Sequence, residues 1–322
     1  PKRFLLRRGL KIYPAFYVFL LVSILVKFVF SVEIPVRTVL SETFFLQNYV
    51  PGMWAHTWSL AVEEHFYLLL IISLFLAQKQ KRDDKRAFWL LPHITILMSI
   101  LILSARIATS YYIRPNELLI HNFPTHLRLD SLLFGIFLSY YDHFHHSFFV
   151  AFIARKTWQI LTLSCLFIST CLFFDQQSFF MSTIGLTLLY LGFGGLVAIS
   201  LYGNLLIPKI VSKLLTPIAS VLARLGFYSY SIYLWHVIIA TWGILFIRRL
   251  LHLTIGKRLE FLLYAAASII CGIIMAKFIE QPVLRLRNRY FPARGEAVEI
   301  SSVSSATAVA VVSSTYDLPA NV

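Results

Sequence analysis

The sequence predicts an all-α, polytopic membrane bundle, and three observations predict it. Hydrophobic residues make up 58% of the 322 and charged residues only 14%, a balance outside that of soluble domains. Windows of roughly twenty apolar residues recur along the chain, each long enough to cross a hydrocarbon core as a helix. The formal charge of +14 comes from Lys and Arg gathered between those windows. Positive-inside topology accounts for that pattern, and nucleic-acid binding, which needs basic and aromatic residues interleaved on a polar domain, does not.

Taken in order, the windows place about eight spans at 10–30, 58–77, 88–105, 129–150, 157–174, 179–201, 227–247 and 260–279, the fourth interrupted by Asp142 to His146. With the N-terminal flank in the cytoplasm, 20 of the 29 Lys and Arg fall on that side, so both termini are expected there. Arg248, Arg249, Lys257 and Arg258 run against this count, which a substrate anion or a misplaced span would explain. The 78–86 loop is a solvated turn. Residues 1–290 form one membrane domain, and the Ser-, Ala- and Val-rich 291–322 segment is expected to be a disordered cytoplasmic tail. The chain opens at Pro1, without Met or a signal peptide, on a basic helix flank, the mark of a sequence entered partway through. Cys165, Cys171 and Cys271 lie in or beside apolar windows with no C-x-x-C pair, so neither a zinc site nor a disulfide framework is expected.

Polar residues inside such windows are the candidate chemistry, because ionisable groups at membrane depth are costly and mark sites or paths. In 53–70, MWAHTWSLAVEEHFYLLL, Ser59, Glu63 and Tyr67 lie four residues apart on one helical face and His56 joins them. At about 1.5 Å per residue, Glu63 sits roughly 7 Å inside Trp58, near a membrane surface. The face either opens on an aqueous pocket or forms an interfacial aromatic anchor with a structural carboxylate. Near the N-terminus, Arg7, Arg8 and Lys11 are either a plain anchor or a phosphate site, Arg8 and Lys11 being one turn apart. Arg128 and Asp130 open the fourth window, so each needs a partner from another helix or a bound sugar. Gly135 is expected to let helices approach closely. Asp142, His143 and His146 have usable metal spacing but sit at a turn, and no metal is expected. Ser229, Tyr233 and His236 share a face around Tyr230, with His236 at mid-span as either a functional or a packing imidazole. Glu280 closes the last window and Pro282 is expected to stop its helix.

Five elements in this set resemble, in order, those of the membrane-bound acyltransferase 3 family. They are Arg8 to Pro14 for R-x-x-R-I-Y-P, with Lys11 in place of the second Arg; Trp58, Ser59, Leu60, Glu63, Phe66 and Tyr67 for W-S-L-x-x-E-x-x-F-Y; and Arg128, Asp130 and Gly135 for R-x-D-x-x-x-x-G. The last two are Leu225 to His236 for L-G-x-x-S-Y-x-x-Y-L-x-H, and Glu280 with Pro282 for E-x-P. The resemblance implies a ten-span enzyme of the bacterial inner membrane. It would move an acyl group, most often acetyl, from cytoplasmic acyl-CoA to a hydroxyl of an extracytoplasmic carbohydrate or glycolipid. It implies that Arg7, Arg8 and Lys11 meet the donor and that Glu63, with Ser59 and Tyr67, orients the base or lines the acceptor side. The family's main histidine lies ahead of its R-x-x-R-I-Y-P element, a position that would fall upstream of Pro1. The resemblance therefore implies that two helices and that histidine are lacking here, which leaves His56 and His236 as candidate bases. Two other readings stand beside it: a transporter or flippase relaying protons through Glu63, Arg128, Asp130 and His236, and an inactive fragment of the family.

Overall fold

The computed structural model describes residues 2–79, 88–202, 209–243 and 256–292. Among them the backbone is helical and no strand is present. Lipid supplies no hydrogen-bonding solvent, so a chain this apolar must satisfy its backbone within each helix. Hydroxyls within the apolar helices do the same: Ser104 Oγ donates to Ile100 O at 2.9 Å and Thr157 Oγ1 to Ile153 O at 2.7 Å.

In order the helices are α1 (Lys2–Val29), the short α2 (Val36–Thr43), α3 (Trp58–Lys79), α4 (Leu91–Tyr112), α5 (Leu129–Phe144), α6 (His146–Phe173), α7 (Leu186–Tyr202), α8 (Lys209–Phe227), α9 (Ser229–Ile238), α10 (Lys257–Met275) and α11 (Gln281–Tyr290). Among the described residues, five stretches are long and apolar enough to cross a membrane: Lys2–Val29, Leu91–Tyr112, His146–Phe173, Met181–Tyr202 and Lys257–Tyr290. The protein is a polytopic membrane bundle. The predicted 58–77 span forms as the 22-residue α3. Pro1, most of the 78–86 loop, the end of the predicted 227–247 span with Arg248 and Arg249, and residues 293–322 of the expected tail lie outside the described residues. So do the helices and the histidine expected upstream of Pro1, and the described chain starts at Lys2 within α1.

Three boundaries differ from those predicted. The third span does not end at residue 105 but runs on to Tyr112, because the charge of Arg106 is neutralised inside the bundle. The fourth span ends at Phe144: His145, at φ −131° and ψ 39°, breaks the helix, and α6 begins eleven residues before the predicted start of the fifth span at residue 157. Pro282 does not stop the last helix. A π-helical turn at Ala276–Glu280 precedes it, and Pro282 falls in the first turn of α11, where a missing N–H costs little.

The chain divides into two compact units, one of residues 1–21 and 228–322, the other of 22–227. In the first, α9 crosses α10 so closely that a Cβ on Gly272 would stand 2.6 Å from the Ile232 Cα, a position only glycine can fill. Tyr230 OH donates to Ile12 O at 2.8 Å, Ser231 Oγ to Glu280 Oε2 at 2.7 Å, and the Phe19 and Trp235 rings meet edge to face. In the second, α4, α5, α6 and α7 pack in neighbouring pairs. Large apolar side chains such as Leu21, Leu25 and Phe173 face outward, while Glu42, Asn48, Arg106 and Asp130 are fully buried. With lipid outside, hydrophobicity does not distinguish interior from exterior, and the interior is held by polar contacts and close packing.

Candidate functional site

The site is built on the segment between α1 and α3. α2 ends at Thr43 with Phe44 as its cap, and the next residue, Phe45, takes a left-handed backbone (φ 56°) with its ring buried. The chain then folds back over the buried Glu42 carboxylate. Trp54 N donates to Glu42 Oε1 at 3.1 Å, and Thr57 Oγ1 lies 2.9 and 3.1 Å from the two carboxyl oxygens. Thr57 Oγ1 also reaches Trp54 O at 2.8 Å. Burial pushes the Glu42 carboxyl up to about 7, against hydrogen bonds from Thr57 and the backbone and the nearby Lys27 charge, which favour the ionised form. The Thr57 hydroxyl has one hydrogen to share among Glu42 Oε1, Glu42 Oε2 and Trp54 O. Lys27 Nζ donates to Met53 O at 3.3 Å and lies 5.1 Å from the Trp54 ring.

A second layer ties this segment to the 118–128 loop. Asn48 Nδ2 donates to Thr125 Oγ1 at 2.7 Å, and His65 Nδ1 is 2.7 Å from the same hydroxyl. Tyr49 stacks on His126, its OH 3.1 Å from His126 Nδ1. Burial lowers the His126 imidazole below its ordinary range, which suits it to accept from Tyr49.

Beside these layers lies a cavity of about 350 Å³ whose wall is mostly apolar, Leu118, Phe123, Met181, Leu186 and Leu189 among its residues, with polar groups from His56, Trp58, Asn122, Arg128 and Gln176. Trp58 and Phe123 stack face to face, 4.8 Å between centroids and 5° from parallel. The Arg128 guanidinium lies over Trp58 at 4.9 Å, and no hydrogen bond or ion pair from a described residue reaches it. Asn122 Nδ2 donates to Gln176 O at 3.3 Å, while its buried Oδ1 has no protein partner among the described residues. The expectation that Arg128 and Asp130 each find a partner on another helix resolves differently for the two. Asp130 Oδ2 takes a 2.5 Å bond from Arg106 Nη2 on α4, both residues 1% exposed, and Thr187 on α7 accepts from the same nitrogen. Asp130 is ion-paired with Arg106, whereas Arg128 stacks on Trp58 and lines the cavity.

Ser59, Glu63 and Tyr67 are half-buried on α3 in the same unit. In the other unit, Arg7 Nη1 donates to Phe291 O, Arg8 is half-buried and Lys11 is exposed. Tyr230 and Glu280 are bonded to Ile12 and Ser231, and His236 Nδ1 sits 2.6 Å from Tyr233 O one turn before it, with Ser229 at the start of the same helix. The Asp142, His143 and His146 cluster forms a surface contact, His146 Nδ1 lying 3.0 Å from Asp142 Oδ1 while Tyr202 OH also bonds Asp142. Glu42, Arg106 and Asn122 had no role in the sequence reading. Only Arg106, a charge one residue past an apolar window, carried a signal that could have found it.

Fold and site define a class: a polytopic membrane protein with a largely apolar cavity on which a few polar groups converge. The acyltransferase domain family matches residues 1–277, and the chain belongs to it. It is 26% identical over 309 residues to OatA, a peptidoglycan O-acetyltransferase of Listeria monocytogenes, an alignment covering 88% of this chain and 46% of OatA. It is 30% identical over 194 residues to an uncharacterized protein of Haemophilus influenzae, covering 53% of this chain and 75% of that protein. The chain thus spans less than half the length of OatA. No solved structure matches it.

Proposed function

We propose that this protein is a membrane O-acyltransferase that moves an acetyl group from cytoplasmic acetyl-CoA to a hydroxyl of a cell-envelope carbohydrate, with the acceptor bound in the cavity at Trp58. The observation that carries this reading is the convergence of a stacked Trp58–Phe123 pair, the Asn122 carbonyl oxygen, the Arg128 guanidinium and the His56 imidazole on one cavity of small-molecule size. The amide orients a sugar's hydroxyls, and the apolar walls of the cavity receive its C–H groups. Membership of the acyltransferase family and the activity named for OatA support acyl transfer over other uses of such a cavity.

The chemistry is nucleophilic attack of a sugar oxygen on the donor's thioester carbonyl. His56 takes the hydroxyl proton as the C–O bond forms, and Arg128 anchors the acceptor in the cavity beside it. The C–S bond then breaks and the CoA thiolate leaves with the proton from the imidazolium. Glu63, with Ser59 and Tyr67 on the same face of α3, holds the base in position. Arg8 and Lys11, one turn apart on α1, are the contacts proposed for the CoA phosphates.

The test uses membranes containing the full-length protein, labelled acetyl-CoA and a carbohydrate acceptor. His56→Gln lowers acceptor-dependent transfer by about 10²-fold or more, and Arg128→Ala by about 10²- to 10³-fold. Accumulation of unmodified solute in sealed vesicles, without acylation, would instead establish a transporter that uses the same buried charges.

A further inference from the structure

The cavity does not end at Arg128. Arg128, Leu186 and Leu189 line both it and a second cavity of about 410 Å³ between α5 and α7. Phe134, Leu138 and Gly194 in turn line both the second cavity and a third of about 390 Å³ that reaches Phe149 and Phe152 on α6. Phe134 and Leu138 pack against Gly194 between the second and third cavities, so the groove is formed by the first two, which meet at Arg128. Its polarity changes in order: His56, Trp58 and Asn122 at one end, the Arg128 guanidinium at the junction, then walls that are mostly aliphatic and aromatic. The apolar part faces outward, where Phe193 and Val197 are exposed.

Gly135 lies in this groove and shows what it is for. The sequence suggested a glycine for close helix packing. Gly135 is exposed, and a Cβ there would meet nothing within 4 Å among the described residues, which leaves this side of the groove open.

Resting on the acyltransferase reading above, we propose that the acceptor is a lipid-linked saccharide. Its hydrocarbon chain lies in the groove between α5 and α7 past Gly135, the phosphate joining chain to sugar is held by Arg128, and the sugar lies in the chamber lined by His56, Asn122 and Phe123. The order apolar groove, cation, chamber with polar groups matches the order chain, phosphate, sugar. A long-chain acyl-CoA does not match it, because a neutral thioester and pantetheine arm separate its chain from its phosphates. An ordinary phospholipid would leave the chamber beyond Arg128 unfilled.

The test compares two probes on the full-length protein in nanodiscs: polyprenyl diphosphate-linked N-acetylglucosamine and free N-acetylglucosamine. The lipid-linked probe is the better acceptor by kcat/KM, and Gly135→Leu, which fills the groove, cuts that preference at least about tenfold through KM. Leucine at an unobstructed helical position favours the helix, so the unfolding midpoint of the variant does not fall. Equal use of the two probes, or an unchanged preference in Gly135→Leu, overturns the proposal. Photo-crosslinking with a diazirine-bearing lipid-linked probe reads binding independently of turnover. Labelling of α5 and α7 peptides that Gly135→Leu abolishes supports the groove even if no acetyl is transferred, a result that would count against the acyltransferase reading alone. Labelling competed equally well by plain phospholipid assigns the groove to bulk lipid and overturns the proposal.

Discussion

Replacing Glu42 by glutamine tests whether a buried carboxyl carries its proton into the fold. Glu42 is fully buried beneath the 44–57 segment, and that burial raises its titration from an ordinary 4.5 to about 7. The sign follows from which state holds the proton. Below about pH 4.5 the folded and unfolded chains are both protonated and the group contributes no difference. As pH rises the unfolded chain releases its proton first while the folded one keeps it, so folding stability falls until about pH 7 and then stays level. At ~1.4 kcal/mol per pKa unit, the loss amounts to about 3 kcal/mol. The amide of Glu42→Gln presents an N–H where the acid presents its O–H, so it can donate to Thr57 and accept from Trp54 N without titrating. Unfolding of the two proteins in one detergent between pH 4 and 8 isolates the effect, since every other titrating group is common to both. The curves should nearly coincide at pH 4 and diverge toward pH 8 with Glu42→Gln the more stable. Parallel curves across the range would refute a protonated Glu42.

Two further substitutions probe the interior. Asp130→Asn leaves the Arg106 charge buried beside a neutral amide, at a cost of about 3–5 kcal/mol, while replacing both residues by apolar ones of similar size recovers most of it; unfolding midpoints of the single and double variants check this. Gly52→Ala would set a Cβ 2.6 Å from Glu42 Oε1 and 2.7 Å from Gln47 Cβ, so the segment must shift, losing about 1–3 kcal/mol in the same assay.

The bundle was legible because membrane helices are specified by apolar length, which a window reads directly. Its errors fall where a local rule met a tertiary partner. Arg106 ended the predicted third span because an isolated charge is costly in lipid, but Asp130, 24 residues away, removes that cost. Pro282 read as a stop because the π turn that accommodates it is not visible in composition. In the site, Trp58, Arg128 and His56 were legible as polar or amphipathic residues where lipid should be, and the structure brings all three to one cavity. Asn122 was not, since an amide in a loop draws no notice until the 174–178 turn closes over it and occupies only its Nδ2. Glu42 was invisible for a similar reason: a carboxyl in a polar connecting segment reads as solvated, and only the fold-back from Phe45 to Thr57 buries it. Gly135 was assigned by its residue type to packing, whereas the empty space around it assigns it to clearance.

The most direct test of the acyltransferase reading is to expose the full-length protein in native membrane vesicles to labelled acetyl-CoA and measure base-labile, ester-linked label on the envelope carbohydrate, with wild type beside Arg128→Ala. Ester-linked label in wild type that falls by about 10²-fold or more in Arg128→Ala, with both proteins folded, is the predicted result. Equal labelling in the two would take the cavity at Trp58 out of the chemistry, and no ester in wild type would contradict acyl transfer itself.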